Sequence, residues 1–166
     1  QQENKGHLSN VLIPKRVTIG PFPYPTQKKD QELKPNVELC TTHLREYLIE
    51  DQSISVYCSL LAELPRPNMT CDESIYIEEC QTMFHRYEND VHKFSQQLGK
   101  QTPIFYHYPI TDMMVPTSMT AVSCLSQLLV MLKHQRHVYI HCFGGKGRAG
   151  TIAGLLLGCL YPELSI

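Results

Sequence analysis

The chain contains no apolar run of the roughly 18 residues that a membrane span needs, and no secretory-signal pattern at its start. No transmembrane segment is therefore expected. It also lacks any C-x-x-C pair, the usual spacing of structural zinc sites, and no metal is expected. Its seven cysteines are odd in number and irregularly spaced, which argues against a disulfide framework. The fifteen basic residues are balanced by sixteen acidic ones and form no long run or basic face beside aromatics, so nucleic acid is not an expected partner. Internal repeats and low-complexity tracts are absent too. The first residue is Gln rather than Met, so the natural N-terminus is expected to lie upstream.

What is present fits one soluble globular domain. A chain of 166 residues can bury a real core, and 42% hydrophobic with 19% charged residues is ordinary for one. Cys40, Cys80, Cys124 and Cys159 sit in apolar-periodic stretches and read as small buried hydrophobes. Free thiols point to a reducing cytosol or nucleus. Asn68-Met69-Thr70 matches a glycosylation acceptor, a chance match in such a compartment.

Along the chain, strands alternate with helices, the pattern of an α/β domain with a central, mostly parallel twisted sheet flanked by helices. Residues 1–11 read as an extended segment. Residues 12–19 form a short strand whose proline suggests a sheet edge, and Gly20-Pro21-Phe22-Pro23-Tyr24-Pro25 is a rigid connection. Residues 26–35 read as a polar surface loop. A helix is expected from Asn36, a good N-cap, to about Ile49. Ser53 to Leu61 is β-rich and apolar, a central strand. Thr70-x-x-Glu73 resembles a capping box, followed by 3–4 spacing through Cys80, Met83, Phe84, Tyr87, Val91, Phe94 and Leu98 to Gly99, which predicts a long helix. A strand over 103–109, a loop to Pro116, a helix from about Ser118 to His134 and a buried strand at Val138-Tyr139-Ile140 follow. The last helix, Ala149 to Leu160, is so apolar that cover from further C-terminal helices is expected.

The chemistry is concentrated between that strand and that helix. A buried strand delivers Cys142 to a loop, Phe143-Gly144-Gly145-Lys146-Gly147, closed by Arg148. Glycines let backbone N–H groups turn inward, and amides at a helix N-terminus form an anion site suited to phosphate. Arg148 adds a planar guanidinium able to grip two phosphate oxygens. The same positive surroundings favour the thiolate of Cys142, placing a nucleophile beneath a bound phosphate. The loop fits neither the Walker pattern nor G-x-G-x-x-G, and an incidental cysteine in a nucleotide cradle does not explain a thiol and an arginine at its two ends.

His141-Cys142-x5-Arg148 resembles the H-C-x5-R signature of the protein tyrosine and dual-specificity phosphatase superfamily. The likeness is to its compact dual-specificity members in particular, of the cyclin-dependent-kinase-inhibitor-associated phosphatase type. Tyr108-Pro109-Ile110-Thr111-Asp112-Met113-Met114-Val115-Pro116 is similar to the loop that carries the general acid in that family. Ile54-Ser55-Val56-Tyr57-Cys58 with Glu63-Leu64 is similar to the strand opposite, and Ile19-Gly20-Pro21 to the first strand. The resemblance covers roughly residues 12–166, most loosely over 65–102. It implies a phosphomonoesterase without cofactor, acting through a phosphocysteine on phosphorylated protein, pTyr and/or pSer/pThr.

Within that resemblance Asp112 is the expected general acid, with Glu63 a weaker alternative and a turn-forming aspartate the plainer reading. His141 is expected to orient the nucleophile or tune its ionisation, though a satisfied buried histidine would look the same. Lys146 resembles the loop lysine of the lipid phosphatase branch, which keeps phosphoinositide as well as glucan phosphates open. Ala149 stands where many relatives place a Ser or Thr hydroxyl that helps the thiolate leave, and Thr151 lies about 200° around the helix, so slow phosphoenzyme breakdown is expected. Cys58 resembles a second cysteine that in some relatives forms a disulfide with the nucleophile. A weak phosphate-binding module and a rhodanese-like sulfurtransferase are the competing functions. The sequence leaves oligomeric state open.

Overall fold

The computed structural model describes residues 16–23, 26–29, 32–35, 42–64 and 86–164, with the backbone alone at 26–29, 32–35 and 164. Its centre is a four-stranded parallel sheet built from β1 (Val17–Gly20), β4 (Val56–Leu61), β5 (Ile104–Ile110) and β6 (Val138–His141), in the order β1-β6-β4-β5. β1 pairs only with β6 and is an edge strand; β4 lies between β6 and β5 and is buried along its whole length. Residues 26–35, expected as a loop, instead contain β2 (Thr26–Lys29) and β3 (Glu32–Pro35), a small antiparallel pair separated from the main sheet. Polar composition concealed a pairing that backbone hydrogen bonds supply.

Alternation along β4 and β6 divides the core in two. Val56, Cys58, Leu60, Val138 and Ile140 face helix α2 (Ser118–Lys133) and helix α3 (Gly147–Leu160), packing with Cys124, Leu125, Leu128, Leu132, Ile152 and Leu156. Tyr57, Leu61 and Tyr139 face the other way, toward a π-wound helix, Thr42–Asp51, and helix α1 (Glu88–Gln97). Each fully buried Leu or Ile in these layers contributes about 1.5–3 kcal/mol. The parallel sheet with helices on both faces matches the expected fold class.

Three helix boundaries differ from the sequence pattern. The first helix begins at Thr42 among the described residues and is wound wider than an α-helix, with Gln52 N–H reaching Tyr47 O five residues back at 3.0 Å. Its buried residues, Leu44, Leu48 and Ile49, suit that winding. The expected cap Asn36 lies outside the described residues, as do residues 1–11, the capping box at Thr70 and the apolar positions Cys80, Met83 and Phe84. α1 begins only at Glu88, so Tyr87 precedes it and is buried rather than sitting on a helical stripe; Gly99, at φ 61°, follows its end. α3 starts at Gly147, two residues early, which puts Arg148 in its first turn. Cys159 is exposed, because it lies in the last turn beyond the buried stripe of Ala149, Ile152, Ala153 and Leu156.

Candidate active site

The site stands at the C-terminal end of β6. Parallel pairing aligns Ser59 with His141 and Gly20 with His141, so the ends of β1, β4 and β6 converge where Cys142 leaves the sheet. Cys142 is 3% exposed and continues the alternation of β6, lying in the same core layer as Cys58 and Cys124.

The loop after it is fixed by β1. Phe22 N–H donates to Phe143 O at 2.9 Å. Gly145 has φ 71°, and a Cβ there would collide with the backbone of Gly20 and Pro21. Glycine at 145 is thus required twice over, by conformation and by contact. At Gly144 and Gly147 a Cβ would meet nothing within 4 Å, so those two glycines have no such steric cause. Lys146 is the cap residue of α3 and its exposed side chain does not bond the helix amides. The first-turn N–H groups therefore have no side-chain cap, and the helix end carries partial positive charge.

Arg148 is the best-held group of the site. Its Nη1 donates to Glu63 Oε2 at 2.8 Å, Glu63 Oε1 at 3.1 Å and Ile110 O at 3.0 Å. Its Nη2 lies 3.1 Å from Asp112 Oδ1. The guanidinium side chain is 5% exposed, Glu63 17% and Asp112 66%, so one carboxylate anchors it from within while the other reaches it from solvent. Glu63 lies two residues past the end of β4, and a further bond from the His107 ring to Leu61 O at 2.6 Å ties that corner to β5. Asp112 sits in the tight turn after β5, where Met114 N–H bonds Thr111 O at 3.1 Å and Met113 has φ 60°, an uncommon conformation for a side chain of its size. Met113, Met114 and Val115, next to Asp112 in sequence, and Phe143, next to Cys142, are exposed apolar side chains.

His141 points to the opposite face of the sheet from Cys142. It is fully buried among Phe22, Tyr87 and Tyr139, and its Nε2 is 2.6 Å from the Tyr87 hydroxyl. Burial pushes the ring down to about 3, an effect that contact with the Cys142 backbone only partly offsets. Burial likewise pushes Tyr87 well above the usual phenol range, so both partners are neutral. Ala149 is completely buried, and Thr151 Oγ1 donates to Gly147 O at 3.0 Å within its own helix. No hydroxyl stands at the position after Arg148. Among the described residues no three His, Cys, Asp or Glu side chains are grouped to hold a metal ion.

A phosphatase-domain family model, described as Swiss Army Knife protein, DSP-PTPase phosphatase domain, matches residues 79–162, a span that includes Asp112, Cys142 and Arg148. The chain belongs to the DSP-PTPase phosphatase family. This DSP-PTPase chain is similar to Cyclin-dependent kinase inhibitor 3 of Homo sapiens, with 37% identity over 62 residues, 37% of this chain and 29% of that protein. It is similar to the Mus musculus protein of the same name at 28% over 131 residues, 78% of this chain and 49% of that one. The chain spans about half the length of the curated relatives it matches, or less. Its fold is shared by kinase-associated phosphatase, solved with its catalytic-site cysteine replaced by serine, at TM-score 0.53 and 21% identity, covering 90% of this chain and 67% of that one. PTPMT1 shares it at TM-score 0.52 and 15% identity, covering 89% and 70%.

Of the residues singled out in the sequence, Asp112 and Arg148 meet directly in this DSP-PTPase domain, and Glu63 joins them as the partner of Arg148. The Cys58 sulfur lies 3.7 Å from that of Cys124. In the sequence Tyr87 shows only as apolar periodicity, and its bond to His141 crosses 54 positions. Only a buried histidine's need for a polar partner hinted at it.

Proposed function

We propose that this chain is a cysteine-dependent phosphomonoester hydrolase of the dual-specificity type, acting on phosphorylated protein. The observation that carries the proposal is Arg148, buried in the first turn of α3 and held by Glu63, with Asp112 on its outer nitrogen and Cys142 at the other end of the same loop. An arginine that is anchored on one side and only loosely paired on the other is ready to exchange the loose partner for phosphate.

In this reading the substrate phosphate displaces Asp112 from Nη2 while Glu63 keeps Nη1. The loop amides of Phe143, Gly144, Gly145, Lys146 and Gly147 take the remaining oxygens, with no reorganisation at the moment of reaction. The Cys142 sulfur attacks phosphorus in line, the P–O bond to the leaving group breaks, and Asp112, which takes up a proton from solvent once it has left Arg148, gives that proton to the departing oxygen. Water then attacks the phosphocysteine. Asp112 takes the water proton, the P–S bond breaks, and inorganic phosphate leaves. Every role is filled by a side chain or amide of the chain, so no cofactor is invoked. His141 acts behind the nucleophile as a neutral, fixed ring. Relatives named for cyclin-dependent kinases favour a phosphoprotein substrate, and the exposed apolar rim of Met113, Met114 and Phe143 suits a phosphosite with apolar neighbours. Four free thiols among the described residues suit a reducing compartment, the cytosol or nucleus.

Hydrolysis of a small aryl phosphate in the presence of chelator tests the proposal. Activity that survives chelation and vanishes in Cys142→Ser supports it, whereas full activity in the serine variant ends it. A second reading, a phosphate-binding module, rests on Ala149: without a hydroxyl there, the loop can bind phosphate yet turn over poorly. Binding of a phosphopeptide without turnover would favour it.

A further inference from the structure

Methionine at position 113 is explained neither by the core nor by the turn that holds it. Its side chain is 93% exposed, so it packs no interior, and its backbone is left-handed at φ 60°, a conformation that disfavours a side chain of this size. Glycine or asparagine would suit the turn better. Backbone strain of this kind clusters at functional sites. Met114 and Val115 follow, both exposed, and Met119 and Val122, three positions apart on α2, are exposed as well. Isolated apolar residues on a surface are ordinary, but a run of them along one loop and the helix after it marks a contact surface.

That run begins beside the residues the proposed reaction uses. Asp112 Oδ1 is 3.1 Å from Arg148 Nη2, and Met113 is the next residue, with its Cα about 3.8 Å from that of Asp112. An extended polypeptide rises about 3.3 Å per residue. A chain whose phosphate reached Arg148 would therefore lay its nearest residues beside Met113 and Met114. Charge narrows what that chain is. Between Lys100 and Lys133 the only formally charged residue is Asp112, and Lys146 is the only cation of loop 143–147. An anionic lipid surface is recognised by clusters of basic residues, and none stands in these segments. Phe143, beside Cys142, adds an exposed apolar side chain on the nucleophile's side. What fits is a protein segment with aliphatic residues around its phosphate.

We propose that Met113, Met114 and Val115 determine specificity, selecting phosphoproteins that carry a large aliphatic side chain within two residues of the phospho-residue. The selection rests on the phosphatase reading of the same site and adds a substrate class to it. Phosphate is the anchor common to all substrates, and the aliphatic flanks supply the difference between them. Methionine suits this task because its unbranched thioether adapts to partners of different shape. The contact buries apolar area and pairs no charges, so it is insensitive to salt, whereas attraction between charges is screened as salt rises.

Two phosphotyrosine peptides of equal charge test it, one with leucine and one with glutamine at the two positions on each side of the phospho-residue. The quantity read is the ratio of their kcat/KM values on one preparation, so a general change in activity cancels. We expect the wild type to prefer the leucine peptide by at least about tenfold, the scale of one large apolar side chain leaving water. The preference should be the same at about 0.05 and about 0.5 M salt. In the double variant Met113→Asn, Met114→Gln the ratio should fall to within about twofold of one. Asparagine accepts the left-handed turn, and should the double variant fold poorly, Met114→Gln alone gives a smaller fall in the same direction. A wild-type ratio near one, or a preference that the double variant keeps, overturns the assignment. So does a chain that sediments with phosphatidylcholine vesicles through Met113 and Met114 while its peptide ratio stays near one, since a lipid surface then occupies the face. Failure of the phosphatase reading is distinct: aryl phosphate hydrolysis is then indifferent to Cys142→Ser. The same two peptides are in that case compared by equilibrium binding, where equal affinities overturn the selection and a leucine preference lost in the double variant upholds it.

Discussion

Asp112→Asn separates two effects that the proposed mechanism assigns to one carboxylate. Asp112 Oδ1 lies 3.1 Å from Arg148 Nη2, where the proposed phosphate would have to displace it. The aspartate side chain is 66% exposed, and such solvent-screened ion pairs are worth about 0.2–1 kcal/mol. Removing the charge should therefore tighten binding of inorganic phosphate or tungstate by a factor of about 1.4 to 5, at about 1.4 kcal/mol per tenfold. The same change removes the proposed proton donor, and positioned acids contribute about 10²–10⁴-fold. We expect kcat on an alkyl phosphate, whose leaving oxygen needs its proton, to fall by that range. The loss should shrink on an aryl phosphate with an electron-poor ring, which leaves without one. The assays are steady-state kinetics on both substrates and calorimetric titration of the oxyanion at fixed ionic strength. A variant with unchanged kcat on the alkyl substrate, or with oxyanion binding weakened by about tenfold (roughly 1.4 kcal/mol), would refute the reasoning.

Three further outcomes follow from the site. Glu63→Gln leaves a buried guanidinium short of its inner carboxylate; breaking a buried pair costs about 3–5 kcal/mol, and the partial exposure of Glu63 lowers this to about 2–3, so the melting temperature should drop by about 4–12 °C at roughly 2–4 °C per kcal/mol, with tungstate restoring part of it. An unchanged melting temperature would contradict the anchoring role. Ala149→Ser restores a hydroxyl next to the leaving thiolate; a hydrogen bond to a charged group is worth about 1.5–3 kcal/mol, so the wild type should show a fast burst and the variant a steady-state rate about 10- to 100-fold higher, and a wild type without a burst would count against slow phosphoenzyme breakdown. His141 titrates near 3 when folded against 6.5 in an open chain, so the unfolded state binds the extra proton as pH falls below 6.5. Its contribution is full above 6.5 and is lost on the way down to about 3, amounting to about 2–3 kcal/mol at about pH 4.5 at 1.36 kcal/mol per unit. Burial shifts His43 in the same direction, so the comparison is with His141→Gln, whose denaturation midpoint should fall less steeply with acid; parallel slopes would refute it.

The parts of this protein that were legible in its sequence are those with a strict period or a strict local spacing. The apolar run of β4, the strand before Cys142 and the amphipathic α2 announce themselves, and so does the seven-residue span from Cys142 to Arg148. Where the signal is tertiary, the sequence is silent. Glu63 looks like a spare acid at a strand end until folding brings it within 3 Å of an arginine 85 positions away. Tyr87 fits a helical stripe by spacing, yet the helix starts after it and its hydroxyl turns to His141. The hairpin of β2 and β3 carries no apolar alternation because it forms no part of the core sheet. Gly145 is the reverse case: one of three loop glycines in the sequence, it is the one whose absent side chain the packing of Gly20 and Pro21 explains.

The central claim is that phosphate passes through a covalent bond to the Cys142 sulfur. Acid quenching during turnover of an aryl phosphate, followed by peptide mass spectrometry, tests it most directly. The account predicts one phosphoryl group on the peptide containing Cys142, carried on sulfur and absent from Cys142→Ala. Turnover with no phosphorylated cysteine at any quench time, or with the label on another residue, would contradict it.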